Sequence, residues 1–235
     1  MTIWISIGLA VLGYVLGSIP SGMILVRLAT GRDIRRIGSG RIGGTNAMRA
    51  GGNLTGALTG ILDVLKSLLA IEISRRVLPG TPWLEVLVGL AAVLGHNYSL
   101  FSIDWRKTRF GKIPIFHGGA GGAPTLGAAA AFWFPSLLIV FPIGLLVFLF
   151  VGYASVTTLV GVLAVILIFS VRAALGYSSA WYAVFGVVAM GLLAWSLRPN
   201  IERLRQGTER MVGLRAWWRN RGRPAEARSP STPHQ

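Results

Sequence analysis

The feature that most limits this chain is a recurrence of apolar runs near bilayer-spanning length, cut by short loops rich in arginine and glycine. A helix needs about 20 apolar residues to cross the hydrocarbon core. Seven runs approach that length, at 3–27, 55–73, 83–101, 122–138, 140–151, 155–171 and 179–197. In lipid, backbone polar groups must be satisfied within the protein, so such runs fold as helices. The expected class is an all-α integral membrane protein with about seven transmembrane helices. Only 13% of residues are charged and mean hydropathy is +0.62, which excludes an ordinary soluble globule. Residues 1–17 lack a basic leader and read as the first span rather than a cleavable signal.

The formal net charge of +15 is unevenly spread. The segment 27–54 sets Arg27, Arg32, Arg35, Arg36, Arg41 and Arg49 against Asp33. The segment 102–114 sets Arg106, Lys107, Arg109 and Lys112 against Asp104. The tail from Arg198 holds nine basic residues and three acids. The positive-inside rule places all three in the cytoplasm and the N-terminus outside. Arg75 and Arg76 fall on the other side, a minority. A nucleic-acid binder would carry its cations on one face of a soluble fold. This distribution suits an anionic membrane surface and an anionic substrate instead. There is no cysteine, and His96, His117 and His234 lack paired ligand spacing, so neither metal nor cofactor is expected. The chain divides into one membrane domain, 1–213, and a basic tail, 214–235, expected to be disordered.

Within the first basic loop, Gly38-Ser39-Gly40 and Gly43-Gly44-Thr45-Asn46 lead to Arg49. Glycines allow tight turns whose N–H groups form a nest for an anion, and arginine offers a fork suited to phosphate. Gly38, Ser39, Gly40, Thr45, Asn46 and Arg49 are thus a candidate phosphate cradle; the alternative is a basic loop that only sets orientation. Asp63 and Lys66 share a helix face in the second span, as a structural ion pair or as catalytic groups. Gly95-His96-Asn97 closes the third span. A second glycine-rich turn, Phe116 to Thr125, includes Gly118 and Gly119; it either presents N–H groups at a helix start or allows close helix packing. Gly152–Ser155 and Asn200–Glu209 complete the set. All fall on one predicted side, which points to a single site where a water-soluble anion meets a lipid chain.

These strings also resemble a known family. Gly17-Ser18-Ile19-Pro20-Ser21-Gly22, the Gly38-to-Arg49 string, Leu62-Asp63-Val64-Leu65-Lys66, Gly95-His96-Asn97, Asn200-Ile201-Glu202-Arg203-Leu204 and Gly207-Thr208-Glu209 are similar, in order, to bacterial acyl-phosphate-dependent glycerol-3-phosphate acyltransferases. The resemblance covers about residues 10 to 213. It implies seven helices, an outer N-terminus and a cytoplasmic C-terminus. It also implies acyl transfer from acyl-phosphate to the sn-1 hydroxyl of glycerol 3-phosphate, giving lysophosphatidic acid. By position, Ser39 and Arg49 would bind phosphate and act with His96 in catalysis. Gly118 and Gly119 would line the site, and Asn46, Ser155, Asn200, Arg203 and Glu209 would line or brace it. Acyl-phosphate already carries a good leaving group, so the reaction needs charge neutralisation and positioning more than a protein nucleophile.

The chain departs from the family in the second motif. His117 and Ala120 stand where two lysines are usual, and Leu197 stands where histidine is frequent. Lys107, Arg109 or Lys112 of the adjoining loop are candidates to replace the lost charge. Other readings are a divergent paralogue with another acceptor, or a non-catalytic membrane binder or carrier of a phosphorylated metabolite. One-sided clustering argues against a carrier, whose site belongs near the midplane.

Overall fold

The computed structural model describes residues 1–108 and 111–221. The first apolar run is two helices, α1 (Thr2–Ser18) and α2 (Ser21–Thr30), broken at Ile19-Pro20. Proline lacks the N–H that would continue the ladder, and at the break the Ile19 carbonyl accepts from the Ser21 N–H and from the Lys66 side chain. A 3-10 turn, Ile34–Arg36, follows, capped by the Asp33 carboxylate, which accepts from the Arg35 N–H. The Arg35 side-chain hydrogen bond pulls the Asp33 pKa down to about 2. That lowered value makes the carboxylate stabilising above its unfolded pKa of about 3.9, and the contribution disappears as pH falls through about 2.

The long helix α3 (Gly44–Val77) is kinked at Gly52, where φ is 87° and ψ 175°. That backbone region is essentially confined to glycine. Next come α4 (Pro82–Asn97) and an antiparallel hairpin, β1 (Ile103–Thr108) and β2 (Gly111–Phe116), with Ile103 opposite Phe116. The hairpin corrects the all-α expectation for the 102–114 loop. The chain continues through α5 (Gly122–Phe132), α6 (Pro135–Leu146), α7 (Ala154–Ala174), α8 (Trp181–Ser196), α9 (Arg198–Arg205) and α10 (Gly213–Arg221). Thus the tail is helical as far as Arg221; residues 222–235 lie outside the described residues.

Among the described residues, four helical segments are long and apolar enough to cross a membrane: Thr2–Thr30, Gly44–Val77, Pro82–Ser102 and Ala154–Ala174. The pair α8–α9, bent by 64°, makes a fifth if it is one span. The expected fourth span, 122–138, is shorter than predicted. It ends at Phe132, and Pro135 starts α6 at the first position where a missing N–H costs nothing. The break falls there rather than between residues 138 and 140; Pro142 is held inside α6, which continues into a π turn, Val147–Val151.

The core gathers α3, α4, α5, α7 and α8 around Ile71, Leu84, Val88, Phe169, Phe185 and Leu193. Glycines let the backbones touch. A Cβ on Gly17 would lie 2.1 Å from the Ala92 carbonyl oxygen, and one on Gly95 2.1 Å from that of Tyr14, so α1 and α4 cross in near-backbone contact. Gly127 of α5 meets the Val64 carbonyl of α3 in the same way, at 2.1 Å. Gly127→Ala is therefore expected to lower stability by about 1–3 kcal/mol through overpacking. Gly60→Ala, where nothing lies within 4 Å, should be neutral or stabilising. Thermal unfolding of the two variants in detergent separates these outcomes.

The two arginines that break the charge rule are neutralised locally. Arg75 is 2.6 Å from Glu85 and 3.1 Å from Glu72, and Arg76 is 3.2 Å from Glu72. The Tyr182 hydroxyl also donates to Glu85.

Candidate active site

The loop before α3 is built around Asn46. Its side-chain NH2 shares two protons among the carbonyls of Ile34, Ile37 and Arg41, at 3.2, 2.9 and 2.8 Å, while its Oδ1 accepts from the Ser39 N–H at 3.1 Å. Asn46 therefore braces the loop rather than presenting its amide outward. Gly38 and Gly40, at φ of 58° and 71°, turn the chain so that Ser39 sits between them, half-buried. Thr45 occupies the first turn of α3, also half-buried.

The second glycine-rich turn packs directly on this loop. The Ile42 N–H donates to the Gly118 carbonyl, and a Cβ on Gly43 would be 3.7 Å from the Gly119 Cα. On its other side the turn rests on the end of α4, where the Gly119 N–H donates to the His96 carbonyl at 2.9 Å. There is no room for side chains. A Cβ on Gly118 would meet the Asn97 carbonyl oxygen at 1.9 Å, and one on Gly119 would meet His96 Nε2 at 1.9 Å. Close packing, one of the two alternatives in sequence, is realised at these glycines.

Arg41 ties these pieces to the C-terminal elements. Its guanidinium donates to the Gly119 carbonyl, the Ser196 hydroxyl and carbonyl, and Asn200 Oδ1. Burial pushes its pKa down, Arg203 adds to that, and Glu209 opposes it. The Asn200 amide donates to Glu209 at 2.9 Å, and Arg203 Nε donates to the other oxygen of the same carboxylate at 2.9 Å. Arg49 lies within electrostatic reach of Glu209 and Arg210, and Arg210 also approaches Gly38. Glu209 is thus paired with Arg203 and lies within electrostatic reach of Arg41 and Arg49, with Arg210 beside Arg49. The excess positive charge is what an anion-binding seam requires.

Behind the glycine turns lies a buried polar trio. Lys66 Nζ is 2.9 Å from Asp63, 3.0 Å from His96 Nδ1 and 3.1 Å from the Ile19 carbonyl oxygen at the α1–α2 break. The Asp63–Lys66 pair faces the interior, as expected, but it also includes His96.

The structure therefore draws Gly38, Ser39, Gly40, Asn46, Arg49, His96, Gly118, Gly119, Asn200, Arg203 and Glu209 into one region. Ser155 stands apart from this network, buried at the start of α7 with a hydroxyl that has no protein partner. Sequence reasoning left Arg41 among the loop cations without a role. The side chains of Lys107 and Lys112, and all of Arg109, lie outside the described residues. A groove of about 600 Å³ on the far side of α9, lined by Trp195, Arg198 and Arg205, includes none of the candidate residues.

A family model described as glycerol-3-phosphate acyltransferase matches residues 7–207. A glycerol-3-phosphate acyltransferase of Thermus thermophilus is 38% identical, over 87% of this chain and 94% of its own length. Glycerol-3-phosphate acyltransferase 2 of Moorella thermoacetica is 36% identical, over 88% of this chain and 97% of its own. Among solved structures, the integral membrane glycerol 3-phosphate acyltransferase PlsY in its glycerol 3-phosphate form is 31% identical. It superposes with a TM-score of 0.74 over 91% of this chain and 98% of its own. The lysophosphatidic acid form of that protein gives a TM-score of 0.71, with 31% identity, over 90% and 97% of the two chains.

Proposed function

This chain belongs to the glycerol-3-phosphate acyltransferase family, and we propose that it uses an acyl-phosphate donor at the cytoplasmic face of a cell membrane. It is an acyltransferase of phospholipid synthesis that esterifies glycerol 3-phosphate. The donor reading rests on one observation above the rest: two glycine turns and the C-terminal elements meet where Arg41, Arg49, Arg203 and Arg210 outnumber the one carboxylate, Glu209. Both substrates carry a phosphate, and neutralising two of them requires more cation than one arginine supplies. In the reaction the glycerol hydroxyl attacks the acyl carbon, the new ester C–O bond forms, and the bond to the phosphate oxygen breaks. Phosphate leaves readily, which is consistent with a cysteine-free chain and a seam built from donors rather than a nucleophile.

In this reading the Ser39 hydroxyl, Arg49 and Thr45 hold one phosphate, on a loop that Gly38 and Gly40 turn and whose Ser39 and Gly40 N–H groups already bond to Asn46 Oδ1 and the Ile37 carbonyl. Gly118 and Gly119 form the opposite wall, with His96 behind them. Asn200, Arg203 and Glu209 brace the arginines, and Ser155, which stands apart from this network, has no part in it. Purified protein should release inorganic phosphate and form lysophosphatidic acid only when acyl-phosphate and glycerol 3-phosphate are both present. Product from acyl thioesters, with none from acyl-phosphate, would overturn the donor assignment.

The same reading gives a seven-span topology with the N-terminus outside and the tail in the cytoplasm, supported by the arginine-rich loops. The natural lack of cysteine makes this testable. In intact cells, an impermeant maleimide should label Thr2→Cys and leave Thr208→Cys unlabelled until the membrane is opened. The opposite pattern would reverse the orientation.

A further inference from the structure

The trio behind the glycine turns has a hydrogen-bond count that settles more than its burial does. A lysine ammonium has three protons and no lone pair. Lys66 has three acceptors at hydrogen-bond distance: Asp63 Oδ1 at 2.9 Å, His96 Nδ1 at 3.0 Å and the Ile19 carbonyl at 3.1 Å. Each proton has one place to go, and the third goes to the imidazole. Asp63 is 3.6 Å from the same ring nitrogen, too far for a hydrogen bond. A charged Lys66 leaves Nδ1 only the acceptor role, and a neutral imidazole that accepts at Nδ1 carries its proton on Nε2.

Nε2 points to the junction of the two glycine-rich turns. It lies 1.9 Å from where a Gly119 Cβ would be and 4.0 Å from where a Gly43 Cβ would be. It pairs with no acceptor among the described residues. The charged groups acting on the ring are Lys66, Asp63 and Arg41.

We infer that Lys66 is a positioning residue that locks His96 in the Nε2–H form, so that His96 donates a hydrogen bond to a substrate oxygen anion between Gly43 and Gly119 and does not act as a general base. This rests on the acyltransferase reading of the site. The anionic oxygen belongs either to a substrate phosphate or to the acyl carbonyl as attack develops. The chemistry at Nε2 is the same in both cases, and kinetics distinguish them.

Two measurements test the inference. The first is the ring nitrogen spectrum of imidazole-labelled protein in detergent, with His96 assigned by its loss in His96→Gln. Between about pH 6 and 8, Nε2 should show the protonated signature and Nδ1 the unprotonated one. In Asp63→Asn/Lys66→Met, which removes both charges together, the other tautomer should appear. A wild-type ring protonated at Nδ1, or an imidazolium across that range, overturns the inference.

The second is turnover. His96→Ala should lose roughly a hundredfold or more, the effect of removing one preorganised donor. His96→Gln, whose amide N–H replaces Nε2–H, should stay within about tenfold of wild type. A loss carried in KM for glycerol 3-phosphate assigns the oxygen to that phosphate; a loss carried in kcat assigns it to the reacting carbonyl. Equal inactivity of both variants favours a base and overturns the donor role, as does full activity of His96→Ala. Failure of wild type to acylate glycerol 3-phosphate would sink the functional reading, while the nitrogen spectrum would still decide the tautomer.

Discussion

Arg41→Ala should reduce kcat/KM for acyl transfer to glycerol 3-phosphate by roughly two to three decades. The guanidinium holds three separate elements at once: the second glycine turn through Gly119, the end of α8 through Ser196, and α9 through Asn200. Charge-assisted hydrogen bonds are worth about 1.5–3 kcal/mol each, and about 1.4 kcal/mol changes a rate tenfold. Loss of even two such bonds accounts for the expected fall. Asn200 would then lose the partner on its oxygen while its amide still serves Glu209, and the seam would lose a cation beside Ala120. Arg41→Lys should recover only a part, because an ammonium cannot bridge the two branches the planar fork spans. Ala120→Lys in the Arg41→Ala background should restore activity in part if charge at this turn is what matters. Steady-state kinetics on the three variants decide the point. An unimpaired Arg41→Ala enzyme would show that the bridge is dispensable.

Arg41 also shows where sequence reading runs out. The apolar runs and the glycine strings are local properties, and they were legible. So were most residues that the fold draws into the candidate region, because Ser39, Asn46 and Arg49 lie within one short string and Asn200, Arg203 and Glu209 within another. Nothing local singles out Arg41 from Arg35 or Arg36. Its partners at Gly119, Ser196 and Asn200 are brought in by packing α5, α8 and α9 around the loop. The hairpin escaped for a different reason. Ile103–Thr108 alternates weakly and carries charges, so charge patterning hid the period-two signal. The runs 122–138 and 140–151 put the break later than Phe132, because the composition stays largely apolar across residues 133–140. In the structure Pro142 sits within α6, and Pro135, a favourable first residue, begins it.

The Asp63–Lys66 pair yields the other large effect, this time on stability. Side-chain exposure is 3% for Asp63 and 6% for Lys66. Lys66→Met keeps the volume of the chain and removes its charge. It leaves a buried carboxylate with its ammonium gone and takes from the Ile19 carbonyl at the α1–α2 break its side-chain donor, leaving only the Ser21 N–H. Breaking one side of a buried pair costs about 3–5 kcal/mol, so the single variant should unfold well below wild type in detergent. Asp63→Asn in the same chain removes the stranded charge. Replacing both members of a buried pair is often close to neutral, so the double variant should regain most of the loss despite carrying two changes. The cycle separates two roles that a single substitution confounds. If Lys66→Met and the double variant are equally unstable, the lysine matters for its bond to Ile19 and not for the carboxylate. If the double variant is stable yet poorly active, the pair is kept for the imidazole it faces.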